Sequence, residues 1–198
     1  MTSKEAEETL GLIRALMERS TRYTNLSGHA GIAAGVSTLV GCALRLWFNT
    51  PFLSTWIGVL IAAAGASLYF TAALARANGE PPWSRQAQTV ALAFSPALVA
   101  GLVLTAVLAQ IGQAPFLPGV WMLLWGVGAL AMSLFTPRAF SLLGVAFMAA
   151  GTFTLFIRPG NDVLSMGLSF GGIHLAYGTI LFVVRHPARA AEPLLHHR

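Results

Sequence analysis

Six apolar stretches alternate along the chain with short breaks that contain proline, glycine or asparagine. Each stretch is about 20 residues long, the length that an α-helix needs to cross a hydrocarbon core about 30 Å thick. Their bounds are 28–48, 52–74, 88–111, 116–135, 139–157 and 164–184. Because the breaks are short, consecutive helices are expected to be antiparallel neighbours. The pattern predicts an all-α membrane protein, a bundle of six transmembrane helices.

A different pattern precedes the first span, where residues 2–20 indicate an amphipathic helix. Its apolar residues recur on one side at helical spacing, and they include Leu10, Ile13 and Met17. Its basic residues, which suit anionic lipid headgroups, are Arg14, Arg19 and Arg22. One interpretation is a helix that lies against the membrane surface or the ends of the bundle. The other is a docking surface for a protein partner or a second copy, because the apolar stripe also fits a short coiled-coil seam.

Lysine and arginine are distributed unevenly between the two sides of the membrane. With the N-terminus inside, ten of the 12 basic residues face the cytoplasm, and only Arg45 and Arg158 face the outside. This excess predicts a multi-pass protein of the bacterial cytoplasmic (inner) membrane with both termini in the cytoplasm. Arg45 itself is expected to extend toward the outer headgroups. The chain then divides into a cytoplasmic helix and linker (1–26), a six-helix transmembrane domain (27–185) and a short cytoplasmic tail (186–198).

Composition agrees with a membrane protein and narrows the chemistry. Of the 198 residues, 56% are hydrophobic and only 10% are charged, against about a quarter charged in soluble domains. The net charge of +5 is spread beside the apolar stretches, so binding to nucleic acid is not predicted. All seven acidic residues lie outside the stretches, which leaves no carboxylate there for proton or cation coupling. No acid–base pair or Ser-His-Asp set converges at one depth, so the sequence predicts no enzyme, no cofactor and no metal site.

Glycine and alanine recur at the spacing by which transmembrane helices pack closely against one another. The first span has a GxxxG pair at Gly31 and Gly35, and the sixth span has one at Gly167 and Gly171. Gly178 continues the helix face of the second pair. A further ladder of small residues in the second span comprises Gly58, Ala62 and Ala66. All of these positions are predicted to pack against neighbouring helices.

One titratable residue, His174, is predicted near the middle of the sixth span. It shares a helix face with the glycines of that span, and Tyr177 flanks it three residues on. Three roles are open: a structural hydrogen bond, a polar lining of a pocket or pore, and ligation of a cofactor. Haem ligation is disfavoured, because His29 lies at the cytoplasmic end of the first span and so at a different depth. Pro96 joins the candidate polar lining, because a proline inside the third span frees a backbone carbonyl.

The start of the second span is similar to the start of the fifth. At a fixed offset of 86 residues, segments 50–70 and 136–156 share eight of 21 positions without a gap. The third and sixth spans match more faintly, and the first and fourth hardly at all. A true duplication predicts a 3+3 inverted repeat, because an odd number of spans reverses the second half. The alternative is a chance similarity between helices rich in alanine and glycine.

Two functions from different classes fit these features. The first is a non-enzymatic accessory or interaction subunit, or membrane partner, of a larger complex, which the packing positions and the N-terminal helix indicate. The second is a passive channel or carrier for a small neutral or amphipathic solute, built on the inverted repeat, with His174 lining a mid-membrane cavity. A redox or other enzymatic role is the third alternative. The predicted partners are the lipid bilayer and a second copy or protein partner bound through the N-terminal helix.

Overall fold

A computed structural model of the protein describes residues 9–10, 23, 25–137, 139–157 and 160–191. Within these ranges the chain is helical and contains no β-strand. Leu10 is exposed, whereas the other residues of the predicted N-terminal docking surface lie outside the described ranges. Those residues are Ile13, Arg14, Met17, Arg19 and Arg22.

The helices follow the order that the sequence predicts. They are α1 (Gly28–Phe48), α2 (Phe52–Ala77), α3 (Arg85–Gln110), α4 (Leu117–Ser133), α5 (Ala139–Ile157), α6 (Asp162–Met166) and α7 (His174–Ala191). A 3₁₀ turn (Ala114–Phe116) leads into α4, and a π-helical segment (Gly167–Ile173) joins α6 to α7. Together α6, this segment and the first part of α7 form the sixth span. In the described part of the chain six helical stretches are long and apolar enough to cross a membrane, which confirms the six predicted spans.

Local signals explain where several helices begin and end. At the start of α3, the Ser84 side chain accepts a hydrogen bond from the Ala87 amide, as an N-cap residue does. After α2, Gly79 takes a φ of +72°, a region that glycine enters without steric cost. α2 reaches three residues beyond the predicted span, because alanine and arginine at positions 75–77 favour a helix.

The six spans form two groups of three helices. α1 packs against α2 and against the sixth span, while α4 packs against α5 and α3. α2 and α3 are consecutive in the chain, yet they belong to different groups. The sixth span joins the two groups, because its π-helical segment also contacts α5.

The largest apolar core lies between α4, α5 and the sixth span. Its buried residues come from α4 and α5 and are Met122, Ala129, Phe140, Leu143 and Phe147. From the sixth span, Phe170, Ile173 and Tyr177 pack against this core. By contrast, α2 buries only Thr55 and Ala75 and directs most of its apolar side chains outward.

Candidate functional site

The imidazole of His174 is enclosed by aromatic rings, and only 8% of the residue is exposed. Its ring centroid lies 4.8 Å from that of Trp125, 5.1 Å from that of Phe147 and 5.8 Å from that of Phe170. Nδ1 lies 3.0 Å from the Phe170 carbonyl oxygen. Because a carbonyl oxygen only accepts, Nδ1 carries the proton and donates. His174 therefore bonds to its own span, one turn back, and packs against α4 and α5.

Tyr177 packs on the same core as His174, whereas Pro96 lies elsewhere. The Tyr177 ring meets Phe140 edge to face, with the centroids 5.6 Å apart. Pro96 lies on the exposed side of α3, a helix that packs mainly against α4. Two open concavities of the described surface measure about 710 and 460 Å³, and none of the three residues lines either. The structure thus brings His174 and Tyr177 to one core and leaves Pro96 apart from them.

The enclosure of His174 predicts that diethylpyrocarbonate will not acylate it in the folded protein. His29 is exposed, with its ring stacked on Phe70, and should react. Mass spectrometry of peptides from treated membranes measures both modifications. Protein unfolded in SDS, in which both histidines should react, is the control. A water-accessible cavity at His174 would instead make the two histidines react alike in the membrane.

The π-helical segment before His174 is a feature that the sequence pattern did not predict. π-helical turns are rare and occur often at functional sites. The sequence feature that could have indicated it is a group of glycines, which weaken the preference for an α-helix. These glycines are Gly167, Gly171 and Gly172. The concavity of about 460 Å³ lies beside this segment, between α5 and the sixth span.

The predicted packing glycines lie where α1 crosses the sixth span. A Cβ atom at Gly31 would lie 3.0 Å from the Gly178 Cα atom. A Cβ atom at Gly35 would lie 2.8 Å from the Gly171 carbonyl oxygen. Gly167, one turn before Gly171, lies beside a side chain of α1 rather than its backbone. The two backbones approach this closely because neither carries a side chain at the crossing.

The glycine of the small-residue ladder of α2, Gly58, contacts no other helix among the described residues. Apart from its own helix backbone, a Cβ atom at Gly58 or at Gly65 would have no atom of the described residues within 4 Å. Ala62 is exposed and Ala66 is half-buried. α1 instead covers the side of α2 that carries Val59, whose side chain lies against a glycine of α1.

An ion pair at the C-terminal end of α1 was not predicted from the sequence. Arg45 Nε lies 2.8 Å from Asp162 Oδ2, and Nη2 lies 3.3 Å from Oδ1. Trp56 Nε1 donates to the same carboxylate at 2.9 Å, and Arg45 also donates to the Thr50 carbonyl. The guanidinium that was expected near the outer headgroups thus binds a carboxylate of the sixth span, and charge-assisted hydrogen bonds of this kind are strong. The cluster joins the ends of α1, α2 and α6.

At the opposite end of α1, polar side chains hold the segment that enters the helix. Asn25 Nδ2 donates to Glu80 Oε2 at 2.6 Å, and Asn78 Nδ2 donates to Asn25 Oδ1 at 2.8 Å. The Tyr23 amide donates to the Phe135 carbonyl at 2.8 Å. Burial, and after it the charge of Glu80, raises the pKa of the Tyr23 phenol. These bonds fix the entry to α1 against the loop after α2 and the end of α4.

The geometry thus yields an enclosed histidine, close glycine crossings and two polar clusters at the ends of the bundle. No family model, curated protein or solved structure matches this chain. Each of these polar arrangements joins one helix to another or to its own backbone, so the contacts between helices are the features that bear on function.

Proposed function

We propose that this integral membrane protein is a non-enzymatic interaction subunit that binds another membrane protein through α2. The unoccupied side of α2 is the observation that carries the proposal. This apolar helix of 26 residues buries only Thr55 and Ala75. Its outward side, called the α2 face below, has five exposed residues: Gly58, Ile61, Ala62, Gly65 and Leu68.

The two glycines on the outward side of α2 contact no other helix among the described residues. A glycine in an exposed helix interior destabilises the helix by about 1 kcal/mol relative to alanine. Its advantage arises when a second backbone comes close, because close packing drives helix association in lipid, where apolar side chains gain nothing by leaving solvent. Gly58 and Gly65 therefore support a partner helix from outside the described chain.

The competing function, a passive channel or carrier, has less support from the geometry. It requires a water-accessible cavity at mid-membrane that touches His174, whereas the imidazole is enclosed by aromatic rings. One feature still favours an inverted repeat. The first span, α1, packs against α2 and the sixth span, and the fourth span, α4, packs against α5 and α3, which would be their counterparts in a 3+3 repeat. We place the interaction role first, in the bacterial cytoplasmic membrane with both termini in the cytoplasm, as the lysine and arginine distribution supports.

Crosslinking in native membranes, before any detergent is added, tests the proposal. We expect the full-length protein in a crosslinked species larger than the monomer, and the same assembly on a native gel after mild extraction. Ala62→Leu should weaken the assembly, because the larger side chain on the α2 face holds the helices apart. Ala106→Leu, the same change at an exposed position of α3, should leave it intact. A monomer without crosslinked neighbours, or equal loss in both variants, would contradict the proposal.

A further inference from the structure

The segment that enters α1 is buried although it lies outside any helix. It comprises Tyr23 and residues 25–27 and is called the entry segment below. Tyr23 is only 5% exposed and Asn25 only 1%. Connecting segments normally run over the surface, because buried backbone needs hydrogen-bond partners. The entry segment instead occupies an interior position at the end of the bundle where α1 begins.

Polar contacts attach the entry segment to the first group of helices, which comprises α1, α2 and the sixth span. The segment continues directly into α1. The Asn25 side chain donates to Glu80 at 2.6 Å and accepts from Asn78 at 2.8 Å, and both of these residues follow α2. One buried amide thus ties the start of α1 to the loop after α2.

Apolar contacts attach the same segment to the second group, which comprises α3, α4 and α5. Tyr23 forms a buried cluster with Ala87 and Val90 of α3. Met132 and Phe135, at the end of α4 and just after it, pack against this cluster. The Tyr23 amide donates to the Phe135 carbonyl at 2.8 Å. The entry segment is therefore a second link between the two groups, besides the sixth span.

The bond that holds the entry segment to the loop after α2 is open to competition from water. Glu80 is exposed, so water can replace Asn25 at its carboxylate. Segments outside helices, with few backbone hydrogen bonds, open more readily than the helices beside them. Loss of the bond between Asn25 and Glu80 should therefore free the segment while the helices stay intact.

We infer that the entry segment is a releasable strap, which holds the two helix groups together at this end of the bundle and covers Ala87 and Val90. Its release exposes these two side chains to water and lets the end of α2 move away from the start of α3. The predicted docking helix, residues 2–20, comes shortly before the strap in the sequence. The strap thus lies between a predicted docking surface and the bundle. The α2 face takes no part in these contacts, so the inference is independent of the proposed function.

The reactivity of a single cysteine in the full-length protein tests the strap. In a Cys42→Ser background, Val90→Cys places a thiol beneath Tyr23, at a position that is 6% exposed. Glu80→Ala then removes the anchor of Asn25 without changing a side chain of the Tyr23 cluster. We expect N-ethylmaleimide to modify the thiol in native membranes about tenfold faster, the effect of losing one hydrogen bond to a charged group. Glu80→Gln keeps an acceptor oxygen and should give a smaller increase.

Two further measurements separate release of the strap from general unfolding. Met122→Cys, at a fully buried position of α4, should stay unreactive with and without Glu80→Ala. Spin labels at Ala77 and Gln88, which are exposed at the end of α2 and the start of α3, should move apart in Glu80→Ala. An unchanged rate at Val90→Cys, or an unchanged distance between the labels, would overturn the inference. An equal increase at Met122→Cys would also overturn it, because the whole bundle would then have loosened.

Discussion

Gly144→Leu is expected to prevent the protein from folding, whereas Gly58→Leu leaves the monomer folded. The two glycines are counterparts at the offset of 86 residues and lie in similar sequence. A Cβ atom at Gly144 would lie 2.9 Å from the Gly126 carbonyl oxygen and 2.8 Å from the Leu130 Cγ atom. Because one of these atoms belongs to the backbone, a change of rotamer cannot relieve the clash, and α4 and α5 have to separate.

The expected effect is large because the core depends on the contact between α4 and α5. Overpacking alone typically costs about 1–3 kcal/mol. Separation would also strip contacts from Phe147, which is fully buried, and losing the contacts of such a side chain costs roughly 3–5 kcal/mol. The sum approaches the whole stability of an ordinary domain, about 5–15 kcal/mol. At Gly58 a Cβ atom has no neighbour within 4 Å among the described residues apart from its own helix backbone.

Size-exclusion chromatography and thermal unfolding in mild detergent measure this difference. Gly144→Leu should be lost to aggregation, and Gly58→Leu should elute as a folded monomer with an unchanged Tm. If Gly144→Leu is not recovered at all, the alanine pair gives the same comparison. Gly144→Ala should lower the Tm, while Gly58→Ala should hold or raise it, because alanine favours a helix. Equal behaviour of the two positions would contradict the difference in packing.

Arg45→Leu is expected to destabilise the protein by about 3 kcal/mol, the lower end of the range for breaking a buried ion pair. The lower end applies because the two side chains of the pair are 20% and 13% exposed. The change leaves the Asp162 carboxylate with the Trp56 indole N–H but without its cation. Since the pair joins α1 to α6, its loss should loosen the sixth span against the first.

A second substitution distinguishes an unpaired charge from a simple loss of packing. Arg45→Leu combined with Asp162→Asn removes both charges and keeps an oxygen that can accept from Trp56. Replacing both partners of a buried pair is often nearly neutral, so the double variant should regain more than half of the lost stability. Equilibrium unfolding in detergent measures both variants. A double variant less stable than Arg45→Leu would show that the charge pair is not the source of the effect.

Much of the fold was readable from the sequence because the membrane imposes length and polarity on each helix. Two of the six helices match their predicted bounds to the residue, at 28–48 and 139–157. The π-helical segment could not be predicted in this way, because its glycines are equally compatible with a closely packed α-helix and with a π-helical turn. His174 was placed correctly in the sixth span, but its enclosure depends on Trp125 and Phe147, which belong to other helices.

By itself, the sequence determined the spans, the breaks between them and the small residues at which helices can approach, because these depend on local length, polarity and side-chain volume. Only the tertiary structure decided which of these surfaces are covered. Gly58 and Gly144 stand in nearly the same pattern, yet one is open and the other touches a backbone. Likewise Arg45 meets Asp162, 117 residues away in the chain. Such contacts depend on which helix, distant in the sequence, packs at each position, and no local sequence pattern specifies that helix.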